Sequence, residues 1–332
     1  MLIFAACAHV PAPFWGGSVL EPANANKKRT LGLILIFLAS VFWSLNAPLV
    51  KGINVEDPFL LSGLRAGIAC IALAPFIRIR RIKWNINTLL MFIAYTGECA
   101  CIVLALRMTS TAIAVGMQFT APVWLYLWER KKGEKPTLRR LWPLIVLLAG
   151  TVVFMCSTAE GVTLAGNLIA LSTSLWFAAV TYFSKKISND NPLGVVSLSN
   201  LFCAIVVLPL SGNFIGGIAA IPGGQWPWLI ALGVLQIGGG YGCYYTGLKY
   251  VSAQTAAMIS PLEMVLGPLW AVLFLGDAIP DTLSLIAFAL VLAGAVGEVL
   301  VTRWPDGQKE LPVVENAATK AVEQVQDAPE KR

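Results

Sequence analysis

The sequence predicts an all-α integral membrane protein whose ten transmembrane helices form two inverted five-helix repeats. The first observation is composition, because 57% of the residues are hydrophobic and 13% are charged, about half the charged share of a soluble domain. The second is the length of the apolar runs, which approach the roughly 20 residues that a helix needs to cross a bilayer. The third is an order of features that occurs twice along the chain.

Ten apolar runs lie between residues 31 and 301. We number them as spans 1 to 10: Leu31–Val50, Phe59–Ile77, Thr88–Leu106, Ala112–Trp128, Leu141–Ser157, Leu164–Phe183, Leu193–Gly212, Trp226–Leu248, Ala253–Leu275 and Leu283–Val301. Most of the connections between them are short. Consecutive spans are therefore expected to be antiparallel neighbours.

The basic residues indicate the orientation of these spans. All but three of the 24 Lys and Arg residues fall in segments that are cytoplasmic if the N-terminus is inside. The exceptions are Lys51 and Arg107 on the outer side and Arg65 within span 2. This positive-inside bias predicts that both termini are cytoplasmic. It also explains the net charge of +6 without a nucleic-acid partner, since the charges do not form one binding stripe.

Two tails flank the predicted domains. Residues 1–29 form an N-terminal tail whose apolar start is short and lacks a basic region, which favours a loose tail or an early start codon over a cleaved signal peptide. Repeat 1 covers residues 30–158 and repeat 2 covers residues 163–302. Residues 303–332 are charged and contain three prolines, so a disordered cytoplasmic tail is predicted.

The repeat is clearest in the stretches Ala105–Glu134 and Gly247–Asp277. Each contains a short polar hinge, an apolar span broken by proline and an acidic residue, and each is followed by a span with the sequence Leu-Ala-Gly. Because five is an odd number of crossings, the second half must enter the membrane in the opposite sense. Inverted repeats are typical of secondary transporters, whose substrate site lies near the midplane between the halves.

Further stretches carry a resemblance to a known family. Span 1 contains Phe42-Trp43-Ser44-Leu45-Asn46-Ala47-Pro48, span 2 contains Leu64-Arg65-Ala66, and span 6 contains Leu175-Trp176-Phe177. With the two broken spans, they resemble the EamA family of the drug/metabolite transporter superfamily over roughly residues 31–302. The resemblance implies a ten-helix secondary transporter, commonly an exporter of amino acids or other small metabolites. The sequence departs from the family pattern at Met264, where a proline is usual, and has no arginine in span 7.

Four ionisable residues lie inside spans, namely Arg65, Glu98, Glu263 and Glu298. Glu98 and Glu263 each lie ten residues into their span, which places them about 15 Å deep, near the midplane. A carboxylate in that environment takes up a proton more readily than in water, which suits proton-coupled transport. The alternatives are a structural hydrogen bond or a pair between Arg65 and Glu98. Glu298 is near the inner end of span 10 and is expected to reach water.

The remaining candidates for substrate binding or coupling are aromatic or amide side chains: Trp43, Asn46, Gln118, Trp124, Trp176, Tyr241 and Tyr245. Aromatic lining suits a ligand with a flat or apolar part, but helix packing explains any one of the tryptophans equally well. Pro48, Pro122 and Pro261 are hinge candidates, because each removes a hydrogen bond to the carbonyl four residues earlier. Prolines are also tolerated in membrane helices without acting as hinges.

These features favour a secondary transporter of a small molecule in the plasma or inner membrane, coupled to protons or to exchange. A membrane enzyme is disfavoured because the only histidine is His9, and a receptor or scaffold because no loop is long enough to form a binding domain. A nucleotide-sugar or triose-phosphate-like exchanger of the same superfamily remains an alternative. No P-loop is present, and no catalytic residue, cofactor or metal is expected. A homodimer remains open.

Overall fold

The computed structural model describes residues 22–109, 111–129, 138–157, 163–187, 191–275 and 280–303. Within these ranges the protein is helical and contains no strand, which confirms the all-α prediction. The α-helices are α1 Pro22–Ser44, α2 Asn46–Lys51, α3 Pro58–Leu73, α4 Ile86–Met108, α5 Thr111–Gln118, α6 Ala121–Glu129, α7 Leu138–Ser157, α8 Leu164–Ile187, α9 Pro192–Val207, α10 Phe214–Ala219, α11 Trp226–Ala231, α12 Gly240–Gly247, α13 Ala253–Ile259, α14 Leu262–Leu275 and α15 Thr282–Arg303. Most of the two predicted tails lies outside the described residues, but α1 begins at Pro22, within the predicted N-terminal tail.

Six helical stretches are long and apolar enough to cross a membrane. They are Asn26–Val50, Pro58–Phe76, Ile86–Ala105, Leu164–Ile187, Pro192–Ser211 and Thr282–Thr302. These stretches coincide with predicted spans 1, 2, 3, 6, 7 and 10. Two shorter apolar helices, Ile113–Trp128 and Leu141–Cys156, coincide with spans 4 and 5. The architecture is that of a multi-pass membrane protein.

Helices are interrupted beside each of the three prolines that the sequence singles out. α1 and α2 are separated at Leu45, shortly before Pro48. α5 and α6 are separated at residues 119–120, just before Pro122, and α13 and α14 at residues 260–261, which include Pro261. A proline has no N–H to donate and its ring clashes with the carbonyl four residues earlier, which favours a break in an α-helix, although α7 continues through Pro143 and α14 through Pro268.

A fourth interruption, in span 8, was not predicted from the sequence. Leu232–Gly239 forms a π-helix between α11 and α12, which we call the π segment. The sequence pattern predicts one continuous helix here, because a π-helix differs from an α-helix by one inserted residue and leaves hydropathy unchanged. Three consecutive glycines, Gly238 to Gly240, lie where the π segment meets α12. π-Helical turns occur frequently at functional sites.

The Leu-Ala-Gly sequence that occurs in both halves sets the contact between α7 and α15. A Cβ added at Gly150 would lie 2.9 Å from the carbonyl oxygen of Ala287, and one at Gly294 would lie 2.8 Å from that of Pro143. Each glycine thus lets the backbone of the opposite helix approach closely, as small residues do between membrane helices. The same motif performs the same packing role in both halves.

Two further helix pairs are related in the same way. α4 packs against α8, so the third span of the first half contacts the first span of the second half. α12 packs against α1, so the third span of the second half contacts the first span of the first half. A Cβ at Gly166 of α8 would meet the carbonyl of Met108, and one at Gly32 of α1 would lie 3.2 Å from the carbonyl oxygen of Gly247. The main hydrophobic core runs along these two pairs and α9.

Candidate functional site

Glu98 lies in the middle of α4 and connects three spans. Its side chain is 4% exposed. The Tyr241 hydroxyl lies 3.0 and 3.1 Å from the two carboxylate oxygens, and Gln118 Nε2 donates to Oε1 at 3.0 Å. A buried carboxylate is stable only when such donors surround it. Among the described residues Glu98 forms no ion pair with Arg65, an alternative in the sequence analysis; Arg65 Nη1 donates to Asn46 Oδ1 at 3.5 Å.

Aromatic rings surround the Tyr241 side of this cluster. The Tyr241 ring centroid lies 4.9 Å from that of Trp43 and 4.8 Å from that of Tyr95, both in edge-to-face geometry, the arrangement that aromatic quadrupoles favour. Trp43 also lies 6.0 Å from Phe177. The Tyr95 hydroxyl donates to Asn200 Oδ1 at 2.8 Å. Side chains from both halves therefore form one buried aromatic and polar wall.

Glu263 lies in the first turn of α14, directly after the break at residues 260–261. Its side chain is partly exposed, and within the described ranges no side chain donates a hydrogen bond to it. Arg65 is near enough to act electrostatically on both Glu263 and Glu98. The N-terminal end of a helix favours a negative charge, which helps to explain why a carboxylate is tolerated here. Glu263 therefore offers an acceptor that the fold itself does not use.

The other three predicted aromatic candidates make packing or hydrogen-bond contacts around this centre. Trp124 Nε1 donates to Ser174 Oγ at 2.9 Å. The indole of Trp176 covers Gly97, where an added Cβ would lie 2.8 Å from the ring. The Tyr245 hydroxyl lies 3.3 Å from the sulfur of Met91. These contacts fix the indole and phenol rings between spans 3, 4, 6 and 8.

The sequence analysis missed two residues of this wall and one tether beside it. Tyr95 precedes Glu98 by three residues, so both project from one face of α4, and that spacing was the available signal. Asn200, which accepts the Tyr95 hydroxyl, is the only amide within span 7. Trp270 Nε1 donates to Ser44 Oγ at 2.7 Å and ties α14 to the end of α1. No sequence pattern links positions so far apart.

A sequence profile of the EamA-like transporter family matches residues 30–156 and again residues 164–300. The chain belongs to the EamA-like transporter family. Among its relatives, a protein named "Uncharacterized transporter" from Archaeoglobus fulgidus is 24% identical, over 80% of this chain and 95% of the relative. Another, "Uncharacterized transporter YvbV" from Bacillus subtilis, is 27% identical over 81% of this chain and 91% of the relative.

A relative with a named activity lies at greater distance. The "Threonine/homoserine exporter RhtA" of Salmonella typhimurium is 20% identical, over 76% of this EamA-like chain and 85% of the relative. One solved crystal structure superposes with a TM-score of 0.67 at 22% identity, covering 83% of this chain and 99% of the other. At that identity the superposition establishes the fold alone. Membership of the EamA-like transporter family implies that the chain is embedded in a membrane and acts on a small molecule.

One expectation about the EamA-like chain was wrong. Glu298 was expected to reach water from the inner end of span 10, but it is 6% exposed and accepts a hydrogen bond from Thr255 Oγ1 at 3.0 Å. The neighbouring Thr302 accepts from Arg29 Nη2 at 2.7 Å. Glu298 lies on the face of α15 that packs on α13, and a side chain on that face cannot extend to solvent. Its position within the helix pair, and not its depth alone, decides its environment.

A metal site requires several ligand side chains close together in the fold. Across the described part of the EamA-like chain, no three His, Cys, Asp or Glu side chains converge as ligands for a metal ion. The buried carboxylate of Glu98 contacts the hydroxyl of Tyr241 and the amide of Gln118.

Proposed function

We propose that this EamA-like protein is a secondary active transporter with ten membrane-spanning helices in two inverted five-helix repeats. It exports small organic metabolites, such as amino acids or amphipathic compounds, across the plasma membrane, with both termini in the cytoplasm. The reciprocal glycine contacts of α7 and α15 support the repeat, as does the matching of α4–α8 with α12–α1. The distribution of Lys and Arg supports the orientation.

The observation that carries the proposal is that Glu263, a carboxylate within a predicted span, receives no side-chain hydrogen bond among the described residues. A bare carboxylate at the midplane is too costly to persist unpaired, so it must be protonated, paired or bound to a cationic group. Glu263 is partly exposed and receives no side-chain hydrogen bond within the described ranges. A proton or the amino group of a substrate would therefore meet the requirement, and each alternative serves transport. The adjacent helix break gives this part of α14 the freedom to change its contacts.

The charges around Glu263 favour a substrate that carries charges of both signs. Arg65 acts on Glu263 electrostatically, yet its one side-chain hydrogen bond goes to Asn46. A molecule with an amino group and an acidic group could bind between the two. Organic phosphates fit less well, because Arg65 is the only basic residue within the ten predicted spans and a dianion would need more than one positive charge. The name of the Salmonella relative, a threonine/homoserine exporter, is consistent with this substrate class.

Flux measurements on the purified full chain in proteoliposomes test this function. We expect L-threonine or another small zwitterion to cross the vesicle membrane faster when a proton gradient is imposed, and a protonophore to remove the acceleration. Counterflow with unlabelled substrate would separate exchange from proton coupling. Protein-free vesicles are the control. Flux equal to that control for zwitterions, amines and organic phosphates alike would contradict the assignment.

The orientation is tested separately by cysteine labelling in intact cells. A cysteine at Gln225, before α11, should react with a membrane-impermeant maleimide added outside. A cysteine at Lys186, near the end of α8, should react only after the cells are opened, because span 6 ends inside. The opposite pattern would invert the topology, and with it the direction assigned to every span.

A further inference from the structure

A recess lies between spans 6, 7 and 8, at the end of each span that is predicted to be cytoplasmic. The last turn of α8, the first turns of α9, the end of α12 and the residues just after α12 form its wall. It contains about 310 Å³ of empty space, part of which is open to the surroundings, and its closed part of about 20 Å³ has room for one water-sized group. Eight described residues line it: Ser184, Lys185, Ile187, Pro192, Val195, Tyr245, Leu248 and Lys249.

Two lysines give the recess a positive charge. Lys185 and Lys249 both line it, and none of the eight lining residues is acidic. Lys185 Nζ donates to the carbonyl oxygens of Leu248 at 2.6 Å and Val251 at 2.7 Å, which fixes the ammonium group against the chain that follows α12. Carbonyl oxygens carry no formal charge, so these bonds hold the lysine in place without neutralising it. The recess therefore attracts an anion.

A hydroxyl in the wall adds a donor for such an anion. Ser184 Oγ is buried and has no hydrogen-bond partner among the described residues. Buried polar atoms are almost always paired, either with protein or with a bound molecule such as water. A serine hydroxyl can donate to an anionic oxygen, and the closed part of the recess admits a group of that size. One hydroxyl and two ammonium groups together match a phosphate that inserts one oxygen.

The aromatic residues beside the recess place it at the level of the lipid headgroups. Lys186 Nζ lies 4.3 Å from the centroid of the Tyr182 ring, and the centroid of that ring lies 5.8 Å from that of Trp128. Tryptophan, tyrosine and lysine together are typical of the cytoplasmic membrane interface. Lys186 follows Lys185 directly in α8, so the recess lies at the same height. Basic pockets between membrane helices on this side bind the headgroups of acidic phospholipids.

We propose that the recess between spans 6, 7 and 8 binds the phosphate of an acidic phospholipid of the cytoplasmic leaflet. Lys185 and Lys249 hold its charge, and Ser184 donates to one of its oxygens. Because Lys185 also joins α8 to the chain between α12 and α13, the lipid reinforces the contact of span 6 with the turn between spans 8 and 9. The site is separate from Glu263, and it rests on the proposed orientation, which cysteine labelling tests independently.

Thermal unfolding of the purified full chain in phosphatidylcholine-containing micelles tests the site. We expect added phosphatidylglycerol to raise the unfolding temperature, whereas inorganic phosphate or glycerol 3-phosphate at the same concentration should not. Lys249→Gln removes one charge from the recess and should require about tenfold more phosphatidylglycerol for the same rise, since a charged hydrogen-bond donor is lost. Lys186→Gln is the matched control, because this lysine is adjacent but does not line the recess. It should cause a much smaller shift.

Ser184→Ala gives a second readout. It should weaken stabilisation by phosphatidylglycerol severalfold and leave the unfolding temperature without that lipid unchanged, since Ser184 Oγ has no partner in the fold. A lower unfolding temperature without the lipid would show that the fold uses this hydroxyl and would overturn its role in the recess.

Three results would overturn the lipid site itself. Equal shifts in Lys249→Gln and Lys186→Gln would mean that acidic lipid is attracted to the whole surface and not to the recess. Stabilisation by dissolved phosphate as strong as that by phosphatidylglycerol would identify a soluble anion as the ligand. The third such result is the absence of any stabilisation by phosphatidylglycerol.

Discussion

Glu98 and Glu263 are two carboxylates at similar predicted depth whose surroundings differ. Glu98 is 4% exposed and receives hydrogen bonds from Gln118 of the first half and Tyr241 of the second. Glu263 is partly exposed, follows a helix break and receives no side-chain hydrogen bond within the described residues. Arg65 acts electrostatically on both. Within the described residues the fold therefore supplies two side-chain donors to Glu98 and none to Glu263.

The difference shows why depth alone does not assign a role to a membrane carboxylate. A side chain whose acceptors are occupied by the protein stabilises one arrangement of helices, and it must lose those bonds before it can bind anything else. A side chain with free acceptors at a helix break can exchange a proton or a ligand without that loss. We therefore propose that Glu98 bridges the two halves and that Glu263 carries the transport chemistry. The following experiments separate the two roles.

The largest effect is expected for Glu263→Gln. Glutamine keeps the shape and most hydrogen bonding of the side chain but fixes it in an uncharged state, so gradient-driven flux should fall to the level of protein-free vesicles. Substrate exchange need not be lost, because it requires no net proton movement. Flux in proteoliposomes with and without a proton gradient measures both. Expression and unfolding temperature should remain near the wild-type values.

Glu98→Gln is the matched control for this experiment. If Glu98 only bridges the halves, its variant should keep proton dependence and lose stability, since a neutral amide accepts more weakly from Tyr241 and Gln118. Full proton-coupled flux by Glu263→Gln together with its loss in Glu98→Gln would reverse the two assignments.

A smaller effect, a severalfold loss of flux, is expected for Pro261→Ala. The substitution restores an N–H that can bond to the carbonyl of Ala257, which would join α13 to α14 and restrict the turn carrying Glu263. The measurement is the initial rate of flux at saturating gradient. Pro143→Ala is the control, because Pro143 lies inside α7 without a break in that helix. Equal rates in both variants would remove the hinge role from Pro261.

The third prediction concerns stability and not flux. Tyr241→Phe removes the hydroxyl that contacts both oxygens of Glu98, which should lower the free energy of unfolding by about 1 kcal/mol, within the range measured for hydrogen bonds in proteins and in membrane helices. Unfolding in mixed detergent micelles measures this change. Tyr182→Phe provides the control, since its ring packs against Trp128 and Phe183. An unchanged free energy of unfolding in Tyr241→Phe would mean that the hydrogen bond from Gln118 is enough to stabilise Glu98.

The sequence was enough to predict features that depend on local chemistry. Apolar length predicted the long helices. The missing N–H of proline made Pro48, Pro122 and Pro261 hinge candidates, and helices are interrupted beside all three, but the same reasoning does not distinguish them from Pro143 and Pro268, which lie inside unbroken helices. The same reasoning missed the π segment, because the hydropathy of a segment is the same whether its residues form an α-helix or a π-helix. It also placed Glu298 in water, because depth along a helix does not reveal which face packs on a neighbour.

The partners of the two midplane carboxylates show the same limit. Ionisable residues within apolar spans are so rare that Glu98 and Glu263 could be chosen from the sequence directly. Their partners could not, since Tyr241 lies 143 positions after Glu98 and only the packing of α12 near α4 brings them together. For Arg65, charge favoured Glu98 as the partner, whereas in the structure its Nη1 donates to Asn46 Oδ1.

The smallest expected effect concerns Asp281, a carboxylate outside the membrane that provides the reference for the two inside it. Asp281 Oδ1 accepts from the Ser284 backbone N–H at 3.2 Å, and hydrogen bonds from the Ser284 side chain and nearby backbone hold the pKa of Asp281 below its usual value. A lowered folded-state pKa means that its stabilising contribution is fully present above the unfolded pKa and is lost as pH falls through the folded pKa.

The wild type should therefore lose slightly more thermal stability below about pH 4 than Asp281→Asn, which keeps a capping side chain but cannot titrate there. Flux near neutral pH should be the same in both proteins. A change of flux in Asp281→Asn would mean that a carboxylate outside the membrane takes part in coupling, and the contrast between Glu98 and Glu263 would then no longer account for it alone.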